Sequence, residues 1–427
     1  MGVSASLGRS LGLRRRHGLG VGAFAVLDQV LFAGSSFSIN ILLARWLPPV
    51  QYGAFALAFF LFLLLGALHT AVLTEPMLVF GASVYRGRVR AYLGRHVMLH
   101  VLVSVATAIV LAVGAAVVWL SGSTAWPALL ALAAAAPFVL LLWLLRRAFY
   151  IELTPRGAVA GDAVYFAATL AGLYLLHRTG HLSPENALFV MGAAAAAGSC
   201  LMLAVLRPDL RGAGVSWREI ASRHWVYGRW STLAQALYWA SGQVLVILVP
   251  VVLGLGALAG LAAAMNLFRP LNPLLQSVQT VMLPSTASAA SDGAGTVELR
   301  RRLRGYLLVA GGGVFLYGLT LSIFSHAALH ALYRGRYDDH RSLVFLFALS
   351  YTVSTVVQVQ TVLLKATGNV RVVPAIWALS GALVLVCSVP AMLVFGLTGA
   401  LIVLIASYST AALVAWRRAQ SMDVSFA

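Results

Sequence analysis

Charge is scarce in this chain, and acidic charge most of all. Only 10% of its 427 residues are charged, with 12 Asp and Glu against 30 Lys and Arg, while 61% are hydrophobic and the mean hydropathy is +0.90. A water-soluble domain does not keep so little charge on its surface, so the implied solvent is the bilayer. Cysteine is nearly absent: Cys200 and Cys387 both fall inside apolar runs, which excludes a disulfide framework and a thiolate metal site. No metal and no cofactor is expected. The single lysine, Lys365, lies in Leu-Lys-Ala-Thr rather than in a Gly-rich phosphate loop, which excludes ATP hydrolysis by that route. Long polar connections are missing as well. The longest, Arg207 to His224, spans about 18 residues, and the outer loop Tyr333 to Arg341 offers only Asp338, Asp339 and His340. Neither has room for a catalytic lobe, so the chain is not expected to be an enzyme.

What fills the chain instead is twelve apolar stretches, at roughly 22–45, 52–80, 96–120, 127–148, 157–177, 184–206, 225–252, 258–290, 305–328, 341–366, 371–394 and 397–416. Each is long enough to cross ~30 Å of hydrocarbon as a helix. The connections between them alternate in charge. Of the 30 Lys and Arg, 24 fall on one side, whereas the other holds Arg45, Arg178, Arg334, Arg336 and Arg341. The positive-inside rule then puts both termini in the cytoplasm. A basic pI of 10.8 in short juxtamembrane loops points to anionic headgroups rather than nucleic acid. Arg14, Arg15 and Arg16 precede an apolar run as in a secretory leader, but Asp28 interrupts that run and it is too long for a cleaved peptide.

The two halves echo each other. Gly53 matches Gly260, Pro76 matches Pro284, Arg90-Ala91-Tyr92-Leu93 matches Arg304-Gly305-Tyr306-Leu307, and Leu144-Leu145-Arg146 matches Leu363-Leu364-Lys365. The offsets of 207, 208, 214 and 219 residues predict a duplicated six-helix unit. The expected architecture is an all-α membrane protein of about 12 transmembrane helices in two six-helix lobes, 1–206 and 225–427, joined by a cytoplasmic linker at 207–224.

Polar stripes mark where the spans turn away from lipid. Asn266, Arg269, Asn272, Gln276 and Gln279 recur at 3, 3, 4 and 3 residues, an arc of roughly 140° on an α-helix. Arg269 is the one arginine expected inside a span, where it costs ~2.5–3.5 kcal/mol on insertion scales. It either pairs with Asp28 or Asp162 to fix packing or lines a wet cavity and binds an anion. Pro270 and Pro273 favour the cavity, because they free backbone carbonyls that need a polar partner. Ser350, Ser354, Gln358, Thr361 and Lys365 form a second stripe, and Ser231, Gln235 and Tyr238 a third, all open to reading as helix-packing contacts. Asp28 and Asp162 lie five or six residues inside the cytoplasmic ends of their spans, placing them as proton or cation sites or as solvated boundary residues. Glu75 is a gate or a boundary residue, and His69 reads as a packing histidine standing alone.

Leu43-Ala44-Arg45-Trp46-Leu47-Pro48-Pro49-Val50-Gln51-Tyr52-Gly53-Ala54-Phe55-Ala56 resembles the junction of the first two helices in polysaccharide-biosynthesis membrane proteins. These are the Wzx-like flippases of the multidrug/oligosaccharidyl-lipid/polysaccharide (MOP) superfamily. Thr74-Glu75-Pro76-Met77, Leu145-Arg146-Arg147-Ala148-Phe149-Tyr150, Leu332-Tyr333-Arg334-Gly335-Arg336-Tyr337 and Leu363-Leu364-Lys365-Ala366-Thr367-Gly368 look like segments of one branch. The likeness runs from Asp28 to Trp416, departing at Pro48, where the family usually has Gly. It implies two six-helix lobes around a central cavity, MATE-like, that opens to alternate sides for a lipid-linked saccharide. On that footing Arg269 would hold a diphosphate, and Asn266, Asn272, Gln276, Gln235 and Gln358 would bind sugar hydroxyls, each amide being donor and acceptor. Asp28, Asp162 and Glu75 are then the coupling or gating candidates. The expected setting is the bacterial inner membrane, with the lipid-linked saccharide, membrane lipids and other polysaccharide-assembly membrane proteins as partners. A cation-coupled drug antiporter of the same superfamily and a non-transporting assembly scaffold are the alternatives.

Overall fold

The structure is a computed structural model that describes the chain apart from residues 1–2, 153, 213, 273, 276–281, 283–285, 287–294, 367–371 and 421–427, and apart from the side chains of 3–23, 25, 82, 227, 230, 231, 234, 235, 240, 296 and 366. The described residues are helical throughout, with no strand. Nine of their helices are long and apolar enough to cross a membrane. In chain order they begin with α1 (Val3–Trp46), α2 (Pro49–His69), one π-helical turn (Thr70–Thr74) and α3 (Glu75–Ala82). Next come α4 (Val89–Leu120), α5 (Trp126–Ala148), α6 (Arg156–Arg178), α7 (Pro184–Leu206), α8 (Trp217–Gly242), α9 (Leu245–Leu253) and α10 (Leu255–Asn266). The remainder are α11 (Thr296–Tyr306), a second π turn (Leu307–Gly311), α12 (Gly312–Ile323), α13 (Ser325–Tyr333), a 3₁₀ turn (Asp338–His340), α14 (Arg341–Ala366) and α15 (Val372–Gln420).

Local chemistry explains the boundaries. Ser183, in extended conformation, accepts a hydrogen bond from the Asn186 amide at 3.2 Å and Pro184 follows it, an N-cap and first-turn proline that start α7. Pro76 cannot donate to the turn before it, and the π turn Thr70–Thr74 lies immediately ahead, where a wider helix relieves the clash. The expected eleventh and twelfth spans run together in α15, whose 49 residues pass from one helix into the next at Gly396 (φ 59°). That backbone suits glycine. The expected seventh span is α8 with α9, and Arg218, Glu219, Arg223, His224 and Arg229 leave α8 less apolar than the others. The eighth begins as α10 and continues largely into residues outside the description.

Two compact units divide the chain, residues 1–39 with 61–232 and residues 40–60 with 233–427. In the first, α5 is the central helix, packed by α4 and α7, with α6 against α7. Small residues bring these backbones together: a Cβ on Gly192 would lie 3.0 Å from the Ala135 Cα, and one on Gly198 would lie 2.8 Å from the Gly161 carbonyl oxygen. Within a bilayer, where the hydrophobic effect no longer drives association, such close approach supplies the packing energy. Asp209 and Gly214 are docked on the start of α4: the Asp209 amide donates to Arg90 O at 2.9 Å, and Arg88 Nη1 donates to Gly214 O at 2.7 Å. Arg95 adds a cation–π contact to Trp217 at 5.1 Å.

In the second unit α14 takes the central place, with α12 and α15 against it and α9 packed on α10 and α15. The glycine of the Tyr52-Gly53 pair is required there, since a Cβ on Gly53 would collide with the Leu255 carbonyl where α10 begins. His340 crosses Gly260 in the same way.

Candidate substrate site and charged cluster

Proline shapes the first site. α10 ends at Asn266, and the next residues follow a tighter i→i+3 pattern: Phe268 N to Met265 O is 3.0 Å, Arg269 N to Asn266 O is 3.3 Å and Asn272 N to Arg269 O is 3.1 Å. Pro270 breaks the α-helical ladder here. One carbonyl so released, Leu267 O, accepts a hydrogen bond from the Tyr317 hydroxyl at 2.7 Å. The straight helix expected from Asn266 onward is interrupted at 267–270, which turn by the larger angle of a 3₁₀-like segment.

Arg269 lies in this segment, partly buried, with its guanidinium over the rings of Phe59 at 5.0 Å and Phe60 at 5.7 Å. Such contacts contribute ~0.5–2 kcal/mol, more as water is excluded. The hydroxyls of Tyr52, Tyr333 and Tyr351 are near enough to act on its charge. Asn266 is fully buried and donates to Tyr52 Oη at 2.9 Å and Tyr333 Oη at 3.5 Å, while Tyr333 donates onward to Ala263 O at 3.1 Å. Its Oδ1 is buried without a hydrogen-bond partner. Phe268 is buried among Tyr317, Phe347 and Tyr351, stacked on the last at 5.1 Å.

The structure thus brings Arg269 and Asn266 together in one aromatic setting, with Asn272 exposed and beside the Tyr351 hydroxyl. Gln358 is part-buried on α14 and donates to Ser354 Oγ at 3.1 Å. Gln276, Gln279 and the side chain of Gln235 lie outside the described residues. Sequence reasoning missed Tyr52, Tyr333 and Tyr351. Two of these stand in the motifs that carried the family resemblance, which was the signal available.

The first unit holds a different chemistry. Arg146, expected in a cytoplasmic loop, is buried in the last turn of α5 at 3% exposure, so Arg269 is not the only arginine inside a span. Its Nε donates to Asp28 Oδ1 at 3.0 Å and its Nη2 to Asp28 Oδ2 at 2.7 Å, the planar fork matching both carboxylate oxygens. Asp162 Oδ2 also lies 3.0 Å from Nε, an ion contact that takes no hydrogen bond because the Nε–H already goes to Asp28. The Tyr150 hydroxyl donates to Asp28 at 2.7 Å and the Phe32 ring backs the guanidinium at 4.1 Å. Asp28 and Asp162 are thereby assembled around one cation that belongs to their own unit. Glu75 is partly buried at the start of α3.

His69 does not stand alone, since its Nε2 meets His100 Nδ1 at 2.9 Å and the His100 ring reaches Pro137 O at 3.1 Å. A recess of about 320 Å³ in this unit is lined by Arg90, Glu152, Thr154, Arg156 and apolar neighbours, and none of the side chains just described lines it.

No protein-family model and no curated protein sequence matches the chain. Solved structures do. The fold is that of transporters of the MOP superfamily. An inward-facing multidrug resistance MATE family transporter of that superfamily superposes with a TM-score of 0.73 at 15% identity, over 92% of this chain and 94% of the other. Lipid II flippase MurJ, in an inward closed conformation, gives 0.73 at 11% identity, over 94% of this chain and 88% of the other. A MOP superfamily transporter from Pyrococcus furiosus, described as having a binding pocket of reverse polarity that suggests a different function, gives 0.63 at 14% identity over 94% of both chains.

Proposed function

We propose that this protein is a flippase that moves a lipid-linked oligosaccharide, joined to its carrier through a diphosphate, across the bacterial inner membrane by alternating access. Arg269 holds the phosphate, and Asn266, Asn272, Gln235, Gln276 and Gln358 bind the sugars together with the tyrosine hydroxyls. Lobes at 1–206 and 225–427, both termini in the cytoplasm and partners in polysaccharide assembly belong to the same proposal. The carrying observation is the Arg269 guanidinium, set in a proline-broken segment and framed by Phe59, Phe60, Tyr52, Tyr333 and Tyr351. A fixed cation beside aromatic faces and hydroxyls suits a headgroup that is anionic at one end and polyhydroxylated at the other. Support also comes from the fold, which a lipid II flippase shares.

Asp28, Asp162 and Arg146 serve coupling in this reading: with both acids ionised the group carries one negative charge in excess, a place for a proton or Na⁺. The same excess favours, as a second reading, a cation-coupled antiporter of small molecules. Deleting the protein separates the two. A flippase leaves a lipid-linked saccharide stranded on the cytoplasmic leaflet, whereas an antiporter leaves none and confers sensitivity to dyes. Arg269→Ala abolishes export with the protein abundant and inserted, and Arg269→Lys restores it at most in part, because an ammonium lacks the planar fork. Normal export by Arg269→Ala ends the anion-clamp reading.

A further inference from the structure

Three metal-binding side chains converge on the exposed face of α13. His326 and His330 are one helical turn apart, so both imidazoles leave the same side, with rings 5.8 Å apart and inclined by only 20°. The chain then reverses through Arg334 (φ 55°) and Gly335 (φ 84°), both left-handed, and the 3₁₀ turn at Asp338–His340 carries a carboxylate back over that face. One oxygen, Asp338 Oδ2, lies 3.0 Å from His330 Nδ1 and 3.4 Å from His326 Nε2. All three candidate ligand atoms fall within 4.8 Å of one another.

We infer that His326, His330 and Asp338 form a binding site for a divalent d-block cation, Zn²⁺ above all. An ion with bonds of ~2.0–2.1 Å in tetrahedral geometry holds neighbouring ligand atoms ~3.4 Å apart, so the 3.4 Å separation already matches, the 3.0 Å hydrogen bond between His330 and Asp338 opens as the ion replaces its proton, and the remaining pair, within 4.8 Å, closes by side-chain rotation. Two imidazoles and a carboxylate are borderline donors, which select Zn²⁺ or Ni²⁺ over Ca²⁺ and Mg²⁺. The second Asp338 oxygen, Oδ1, is buried with no hydrogen-bond partner. A buried carboxylate oxygen so placed is costly unless its charge is met, and a cation on Oδ2 meets it. Both histidines are more than 60% exposed, which leaves the site open to entering metal and to a water as fourth ligand. When bound, the ion fastens the reversing turn to α13. Tyr333, the last residue of that helix, hydrogen-bonds Ala263 and takes the amide of Asn266, so the clamp steadies that network from outside. The site itself does not depend on what the protein transports.

Purified full-length protein without an affinity tag is titrated with ZnCl₂ alone, and with CoCl₂ for its visible spectrum. The expected result is one Zn²⁺ per chain, a rise in melting temperature, and Co²⁺ absorption of the intensity seen at low coordination number. His326→Ala and Asp338→Asn each weaken binding by at least about tenfold, while His181→Ala, in the other unit, leaves it unchanged. Binding that is equal in His326→Ala and the parent protein overturns the assignment, as does the absence of stoichiometric Zn²⁺. His326 is exposed, so its variant folds, and the melting curve without metal verifies this.

Discussion

Removing Arg146 and removing Asp162 should have opposite consequences, although both belong to one buried cluster. In Arg146→Met the side-chain volume is nearly kept, but Asp28 and Asp162 lose the guanidinium that lies 2.7 and 3.0 Å from them. Breaking a buried pair by deleting one partner costs about 3–5 kcal/mol, or forces the acids to take up protons. Asp162→Asn is different. The bidentate Arg146–Asp28 pair and the Tyr150 hydrogen bond persist, and the cluster becomes neutral. Its stability change should stay within about 1 kcal/mol, since an amide of the same shape replaces the carboxylate and no charge is left unpaired. The assay is thermal unfolding in detergent alongside abundance in the membrane. Arg146→Met should be depleted and unfold at lower temperature, Asp162→Asn should match the parent protein, and the triple neutral variant with Asp28→Asn should recover part of the Arg146→Met loss. Should Arg146→Met prove as stable as the parent while Asp162→Asn collapses, the charge accounting offered here is wrong. If Asp162 carries the coupling ion, Asp162→Asn also loses transport with its abundance intact.

Tyr317→Phe removes the donor to the carbonyl that Pro270 leaves free, so it should cost about 1–3 kcal/mol in thermal unfolding. Gly53→Ala drives a methyl into the Leu255 carbonyl and should cost about 1–3 kcal/mol, visible as lower abundance. Tyr52→Phe takes away the hydroxyl that Asn266 reaches and should weaken export more than it weakens folding, which transport per molecule of inserted protein measures.

Spans were legible because hydropathy is a one-dimensional signal and a bilayer enforces it over ~20 residues. The break at Gly396 was legible for the same reason, falling between the two apolar stretches expected at 371–394 and 397–416. What depends on a partner from another helix was not. Arg146 sits in a last helical turn, where an arginine usually snorkels to the headgroups, and nothing in its neighbours along the chain announces Asp28, 118 residues away. His69 met His100 for the same reason, across 31 residues. Pro270 was seen, yet its effect on the stripe's geometry was not, because an arc reckoned at 100° per residue presumes an unbroken helix.

The repeat expected from the sequence frames a contrast between the two units. α5 and α14 hold the same central place, and Leu144-Leu145-Arg146 echoes Leu363-Leu364-Lys365 near their ends. Yet Arg146 is buried among carboxylates while Lys365 is exposed. The second unit instead carries its framed cation at Arg269, in aromatic surroundings and with tyrosine hydroxyls near it. A carboxylate excess binds a proton or a metal cation and repels a phosphate, whereas an arginine faced with rings and hydroxyls does the reverse. This charge contrast fits the proposed division of labour, ion in the first unit and anionic headgroup in the second. The measurement that separates this from two independent structural features sets transport against stability: Asp162→Asn and Arg269→Lys should each lower transport per molecule of inserted protein at an unchanged melting temperature, and a variant that lowers only the melting temperature refutes its share of the division.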